Sequence, residues 1–116
     1  MTRGGPSHGS LHAQFAYTPE AWAALSKNPV DRREGLSQLL EKVGAKLIAL
    51  YYCFGEYDGV AVVEAPDNSS YTAAILGAIA PGHVKTTKTT VLLTVEETME
   101  AMRKAGGLSY QAPSGR

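Results

Sequence analysis

The sequence predicts an α+β domain in which helices cover one face of a four-stranded antiparallel sheet. Two apolar, strand-like runs are separated by the turn cluster Gly55 to Gly59, and this pattern indicates a β-hairpin in the middle of the chain. Strand patterns of period two and helical stripes of period 3.6 alternate on both sides of the hairpin. These two observations determine the predicted fold class.

The segment before the hairpin contains one strand and two helices. Residues 11–17 alternate in polarity, as a half-buried strand does. Thr18 is a suitable N-cap for a short helix that Trp22 would anchor to the core, and Pro29 interrupts that helix. A second helix begins at Asp31, and its apolar side has the spacing i, i+3, i+4, i+7: Leu36, Leu39, Leu40 and Val43.

The hairpin strands are predicted over residues 45–54 and 60–65. Alternation assigns Leu47, Ala49, Tyr51 and Cys53 to one face of the first strand, and Ile48, Leu50, Tyr52 and Phe54 to the other. Both sets are apolar, whereas a strand with one wet face should alternate between apolar and polar residues. Both faces of this strand are therefore expected to be buried.

Two helices and one strand follow the hairpin. Asp67 begins a helix whose apolar stripe is Tyr71, Ala74, Ile75, Ala78 and Ile79. Residues 84–93 form a Thr-rich strand suited to a sheet edge. Thr94 and Glu97 make a capping box for a last helix, and its apolar side has the spacing of a core-facing helix: Val95, Met99 and Met102.

The element order predicts a ferredoxin-like βαββαβ sheet with an added C-terminal helix. We expect a flexible leader over residues 1–10, one domain over 11–106 and a loosely ordered tail over 107–116. Because helices cover only one face, the other face leaves apolar strands exposed. A second copy of the chain would cover them, so the predicted partner is the protein itself, as a homodimer or a larger assembly.

Composition narrows the function classes. The chain has 116 residues with 11 basic and 11 acidic side chains, which argues against a nucleic-acid partner. It has one cysteine, Cys53, and no metal-ligand spacing, so no cofactor or metal is predicted. No apolar run is long enough to cross a membrane, and the N-terminus lacks a signal-peptide core. We therefore expect a soluble, cytoplasmic protein without a membrane partner.

The hairpin segment, from Gly55-Glu56-Tyr57-Asp58 through Val60 to Asp67, resembles the GYD domain family, which is named for its glycine-tyrosine-aspartate pattern. The resemblance extends over roughly residues 11 to 105 and includes Tyr17-Thr18-Pro19-Glu20. It implies a dimeric α/β-barrel type of ferredoxin-like fold and no established activity. A looser similarity to the effector-binding domains of leucine-responsive-type regulators implies small-molecule sensing without a DNA-binding half.

The turn motif has two interpretations. Tyr57 and Asp58 could present a phenol and a carboxylate to a ligand. Alternatively, Gly55 supplies a positive φ, Asp58 bonds its own backbone and Tyr57 packs at the end of the sheet. Turn chemistry explains most of these residues, and the structural interpretation is favoured.

Three other side chains are candidates for a site. His12 would face the cleft between subunits, where an imidazole can act as acid, base or ligand. Glu64 would be a general base if buried, or a solvated strand-end residue if exposed. Tyr51 could present its ring and hydroxyl to a ligand in the dimer cleft.

These observations favour a homo-oligomeric domain that binds an apolar or aromatic small molecule, between two sheets or between sheet and helices. The predicted ligand-binding residues are His12, Tyr51 and Glu64. Two alternatives stay open: an enzyme resembling cofactor-free oxygenases or decarboxylases, with His12 or Glu64 as base, and an assembly protein without a ligand.

Overall fold

A computed structural model describes residues 9–113 of the chain. Most of the predicted leader and the last three residues of the predicted tail lie outside the described residues. The elements, in chain order, are β1 (Gly9–Tyr17), α1 (Pro19–Lys27), α2 (Arg32–Glu41), β2 (Lys46–Tyr52), β3 (Gly59–Ala65), α3 (Asn68–Ile79), β4 (Val84–Leu92) and α4 (Val95–Gly106).

The four strands form one antiparallel sheet in the order β2-β3-β1-β4. Strands β1 and β2, which α1 and α2 link, run parallel with β3 inserted between them, and this arrangement is a split βαβ unit. The predicted ferredoxin-like α+β fold is confirmed. Helices α1 to α3 lie on one face of the sheet, which we call the helix face, and we call the other face the open face.

Helix starts follow the predicted caps. The side chains of Thr18, Asp31, Asp67 and Thr94 each accept a hydrogen bond from a backbone N–H in the first turn of the next helix. A cap of this kind stabilises a helix by about 1 kcal/mol. Thr94 and Glu97 form the complete capping box that their spacing predicts.

The core lies between the helix face and helices α2 and α3. Its centre is Leu40, which is 1% exposed, packed with Val63 and Tyr71. Burying a leucine side chain completely contributes about 2 kcal/mol. The remaining core side chains are small or sit at the strand centres: Leu11, Ala13, Ala45, Ala61, Ala65 and Ala74.

Three details differ from the predictions. Strand β1 begins at Gly9, two residues before Leu11, and β2 ends at Tyr52, so Cys53 and Phe54 belong to the hairpin loop. The register of β2 against β3 shifts between Leu47 and Ala49. The bulge moves Leu47 to the helix face, where it packs on the core beside Leu50, while Ala49 and Tyr51 lie on the open face.

Helix α4 projects from the domain instead of joining the core. None of its residues is buried, and Val95 and Met102 are 70% and 64% exposed. The spacing of Val95, Met99 and Met102 predicts that this side of α4 packs on the core, and within the single chain that prediction is wrong. The pattern indicates an apolar side correctly, but that side does not pack on the core of the described chain.

Candidate functional site

A cavity of about 490 Å³ lies between the helix face of the sheet and helices α1, α2 and α3. Pockets of this size accommodate small organic ligands. Its walls are mostly apolar and come from all three helices and the sheet, including Ala13, Phe15, Leu36, Leu39, Ala61 and Ala78.

Small side chains leave this space open. Ala13 and Ala61 lie directly opposite each other on β1 and β3, and Ala74, Gly77 and Ala78 face them from α3. Large side chains at these positions would fill the gap, whereas the larger Leu40 and Tyr71 form part of its wall. The volume of the cavity is therefore set by which core positions carry alanine or glycine.

Three polar side chains of the cavity lining lie at the hairpin end of the sheet. Tyr17 ends β1, Arg32 begins α2, and His83 precedes β4. Antiparallel pairing brings the end of β1, the end of β2 and the start of β4 to the same edge. The backbone N–H of Thr18 donates to the carbonyl of His83 at 2.9 Å and ties α1 to the loop before β4. The cavity thus has an apolar interior and a polar mouth.

Tyr17 is half-buried at this mouth. Burial raises the pKa of its phenol well above the usual range, and the hydrogen-bonded Tyr52 hydroxyl, 3.3 Å away, raises it further. The Arg32 guanidinium acts in the opposite direction on the same pKa. Tyr17 is therefore a neutral hydrogen-bonding group at physiological pH.

Arg32 reaches the cavity along the first turn of α2. Its guanidinium covers Gly35, and a Cβ at Gly35 would lie 3.1 Å from Nη1 and 3.2 Å from Nη2. The neighbouring Arg33 pairs with Asp31 at 2.7 Å. Within residues 9–113, Arg32 forms no ion pair, and no acidic side chain lines the cavity.

A second tyrosine lies deeper against the same space. Tyr71 is buried, and its hydroxyl lies 2.8 Å from the Thr89 hydroxyl. Burial raises the pKa of the Tyr71 phenol, and the hydrogen bond with Thr89 partly offsets that rise. The Thr89 hydroxyl thus gives the Tyr71 hydroxyl, which α3 places beside the sheet, a hydrogen-bond partner.

The turn motif holds the mouth together. The Oδ2 atom of Asp58 accepts from the backbone N–H of Tyr17 at 2.9 Å and from the Trp22 indole N–H at 3.0 Å. The backbone N–H of Asp58 also donates to the carbonyl of Phe15 at 2.8 Å. The predicted bond of Asp58 to its own backbone is wrong, because the carboxylate reaches across to the end of β1 and to α1. Gly55 has the predicted positive φ, 137°.

Four aromatic rings surround this connection. Phe15, Tyr17, Trp22 and Tyr52 have ring centroids 5.3 to 6.4 Å apart, and several pairs are edge-to-face. Gly59 is required beneath them, because a Cβ there would collide with the Phe15 ring at 2.2 Å. The motif residues therefore join the hairpin, β1 and α1 at one end of the cavity.

The three predicted ligand-binding residues lie elsewhere. Register places His12, Tyr51 and Glu64 on the open face, and none of them lines the cavity. His12 is half-buried opposite Val62, Tyr51 is 68% exposed opposite Val60, and Glu64 is exposed opposite Lys46.

His12 and Glu64 are diagonal neighbours on adjacent strands, with a spacing of roughly 7 Å in this geometry. Tyr51 is separated from His12 by the width of β3. The open face is apolar along β2 and β3, where it carries Ala49, Val60 and Val62. Along β1 and β4 it is polar, with Gln14, Lys88 and Thr90.

Cys53 is half-buried in the hairpin loop, where its thiol donates to the carbonyl of Tyr57 at 3.3 Å. In the part of the chain that the structure describes, no three His, Cys, Asp or Glu side chains come together as a metal site. No helix between residues 9 and 113 has the length and apolar character needed to cross a membrane.

The sequence did not single out Arg32, His83 or Tyr17 as site residues. Arg32 is one of two successive arginines after a helix cap, and only Gly35 three residues later hints that one of them has room to fold back. Strand pairing brings Tyr17 close to His83, and the position of α2 brings Arg32 close to the Tyr17 hydroxyl; no local pattern in the sequence indicates either contact.

The chain is thus a ferredoxin-like α+β domain with an apolar cavity beneath its helices. It belongs to the GYD domain family, whose model matches residues 13–102. A curated relative, the glutamine synthetase and cystathionine beta-lyase binding protein of Thermus thermophilus, is 36% identical over 69 residues, which are 60% of this chain and 73% of that protein.

Solved structures are similar in fold. The crystal structure of MtbAldR is similar with a TM-score of 0.55 at 12% identity, over 81% of this chain and 60% of that one. The chain therefore spans less than two thirds of MtbAldR. The crystal structure of TTHA0845 from Thermus thermophilus is similar with a TM-score of 0.48 at 16% identity, over 75% of this chain and 95% of that protein.

Proposed function

We propose that this protein is a binding domain that takes up an apolar or aromatic small molecule in the cavity between sheet and helices. The observation that carries the proposal is the cavity itself, about 490 Å³ of space with apolar walls and a polar mouth. Water gains few hydrogen bonds in such a space, so an apolar ligand would displace it favourably.

We further propose that the protein acts as a homodimer joined through the open face. Tyr51, Val60 and Val62 form an apolar patch there, and helix α4 exposes Val95 and Met102 beside the domain. A second copy would cover both surfaces by sheet-to-sheet packing. His12, Tyr51 and Glu64 would then lie between subunits, and the cavity would remain accessible from the hairpin end.

The Thermus relative is named for binding two enzymes. A protein partner that contacts α4 is the alternative to a second copy of the chain, and a monomeric mass of the pure protein in light scattering would favour it. A cytoplasmic location remains a prediction from the sequence.

The neutral fluorescent probe N-phenyl-1-naphthylamine tests the cavity. We expect the wild-type protein to bind it with increased fluorescence. Ala78→Phe places a ring in the cavity and should weaken binding roughly tenfold, since it occupies the ligand's volume. The matched control is Ala73→Phe, because Ala73 is exposed on the outer side of the same helix.

Equal binding by both variants and the wild type would contradict the location of the site. Absence of binding by all three proteins would contradict the proposed function.

A further inference from the structure

We infer that the ligand of this cavity is an organic carboxylate, with its apolar body inside and its carboxylate held at the mouth by Arg32. The inference rests on the proposed function and names the chemical class of the ligand. It depends on the charge of the mouth and the position of Arg32.

The charge at the mouth is one-sided. Arg32 and His83 are the ionisable side chains of the cavity lining that can be positive, and no aspartate or glutamate of the described residues is part of that lining. The nearest motif carboxylate, Asp58, already accepts two hydrogen bonds, from Tyr17 and Trp22, and lies outside the lining. An incoming anion would therefore meet no repulsion from the walls of the cavity.

Arg32 is placed to receive it. The side chain folds back across Gly35, remains exposed to solvent at the mouth, and lies close to the Tyr17 hydroxyl. A guanidinium offers parallel N–H donors that match the two oxygens of a carboxylate. The neutral phenol of Tyr17 can donate a further hydrogen bond to the same oxygens. Two donors of different kinds thus converge on one point of the mouth.

The neighbouring Arg33 does not share the position of Arg32 at the mouth of the cavity. Arg33 is bound by Asp31 through both carboxylate oxygens, at 2.7 to 3.1 Å, and it does not line the cavity. Arg32 has no such partner among residues 9–113. The two arginines are consecutive, yet only Arg32 presents to the cavity a guanidinium that no carboxylate of residues 9–113 holds.

Displacement of N-phenyl-1-naphthylamine by octanoate and by 1-octanol tests the inference, because the two molecules share a chain and differ in the charged head. For each protein the readout is the ratio of the octanoate to the octanol dissociation constant. We expect Arg32→Gln to raise this ratio roughly three- to tenfold, as for loss of a partly exposed charged hydrogen bond, while octanol affinity stays within about twofold. Arg33→Gln is the matched control and should leave the ratio unchanged.

Each result decides the matter. A ratio that does not change in Arg32→Gln, or that changes equally in Arg33→Gln, overturns the role of Arg32. If the probe binds but neither eight-carbon molecule displaces it, the ligand class is wrong while the binding function stands. If the probe itself does not bind to wild-type protein, the proposed function and this inference fall together.

Discussion

The helix face and the open face of the sheet carry side chains of different sizes next to different neighbours. On the helix face, Ala13 and Ala61 lie under three helices and leave a cavity beneath them. On the open face, Val60 is half-buried and Tyr51 is exposed, and none of helices α1 to α3 lies over them. Small residues covered by helices leave an internal cavity. Larger apolar residues without covering helices form a surface suited to contact with another molecule.

The same strands build both faces. His12 and Ala13 are neighbours in β1, but one faces the open side and the other the cavity. A candidate residue therefore belongs to the cavity or to the proposed subunit interface according to a shift of one position. Substitutions on each face should then change different properties, and the following measurements rest on that separation.

The largest expected effect is on assembly. Val60→Asp places a charge in the centre of the apolar half of the open face, so a buried interface there would weaken by about 100-fold or more in dimer dissociation constant. Light scattering coupled to size-exclusion chromatography should show a dimer for the wild type and a folded monomer for the variant. Ala73→Asp, on the outer side of α3, should remain dimeric. A monomeric wild-type protein would refute the interface.

An intermediate effect is expected at the hairpin end. Asp58→Ala removes the acceptor of the Tyr17 and Trp22 hydrogen bonds, so the free energy of unfolding should fall by about 2 kcal/mol. Trp22 is the chain's one tryptophan, and its emission should move to longer wavelength as the indole loosens. Glu56→Ala, an exposed change in the same turn, should alter the free energy of unfolding by less than about 0.5 kcal/mol. Equal losses in the two variants would contradict the role given to Asp58.

The smallest expected effects are those of Gly35→Ala on the helix-face side, where the free energy of unfolding and the ligand preference should change independently. Gly35→Ala should raise the free energy of unfolding by up to about 1 kcal/mol through helix propensity. The new Cβ would also push the Arg32 guanidinium aside, and the octanoate-to-octanol ratio should rise about twofold.

Gly77→Ala is the matched control for that experiment. Its Cβ would meet Leu39 at an ordinary 3.4 Å and would not reach Arg32. Because Gly77 lines the cavity, a loss of volume there would lower octanoate and octanol affinity alike, so the variant should stabilise α3 without changing the ratio. An unchanged ratio in both glycine variants would show that the guanidinium does not depend on the space above Gly35.

Much of the fold could be predicted because its signals are local. The N-caps Thr18, Asp31, Asp67 and Thr94 begin helices as predicted, since a cap acts on the backbone of the next turn. The stripe containing Tyr71 and Ala74 is buried as its spacing indicates. The bulge beside Leu47 was missed, because a one-residue shift in pairing depends on the partner strand.

For the candidate site, the sequence predicted only the apolar character and two alternative positions. Apolar strands and helices indicated an apolar binding site, and a cleft between sheet and helices was one of the two expected positions. The residues at its mouth were not found, because Tyr17, Arg32 and His83 are far apart in sequence and meet only at one edge of the folded sheet. The family resemblance pointed to Asp58, whose partners Tyr17 and Trp22 come from an earlier strand and helix.

By itself, the sequence determined the element order, the helix starts, the ferredoxin-like class and the surplus of apolar strand surface. These features follow from periodicity and capping, which act over a few neighbouring residues. Only the tertiary structure decided which strand face lies under the helices, that alanines leave a cavity there, and that Arg32 rather than Arg33 faces it. Those outcomes depend on pairing register and packed volume, which are properties of residues brought together from distant parts of the chain.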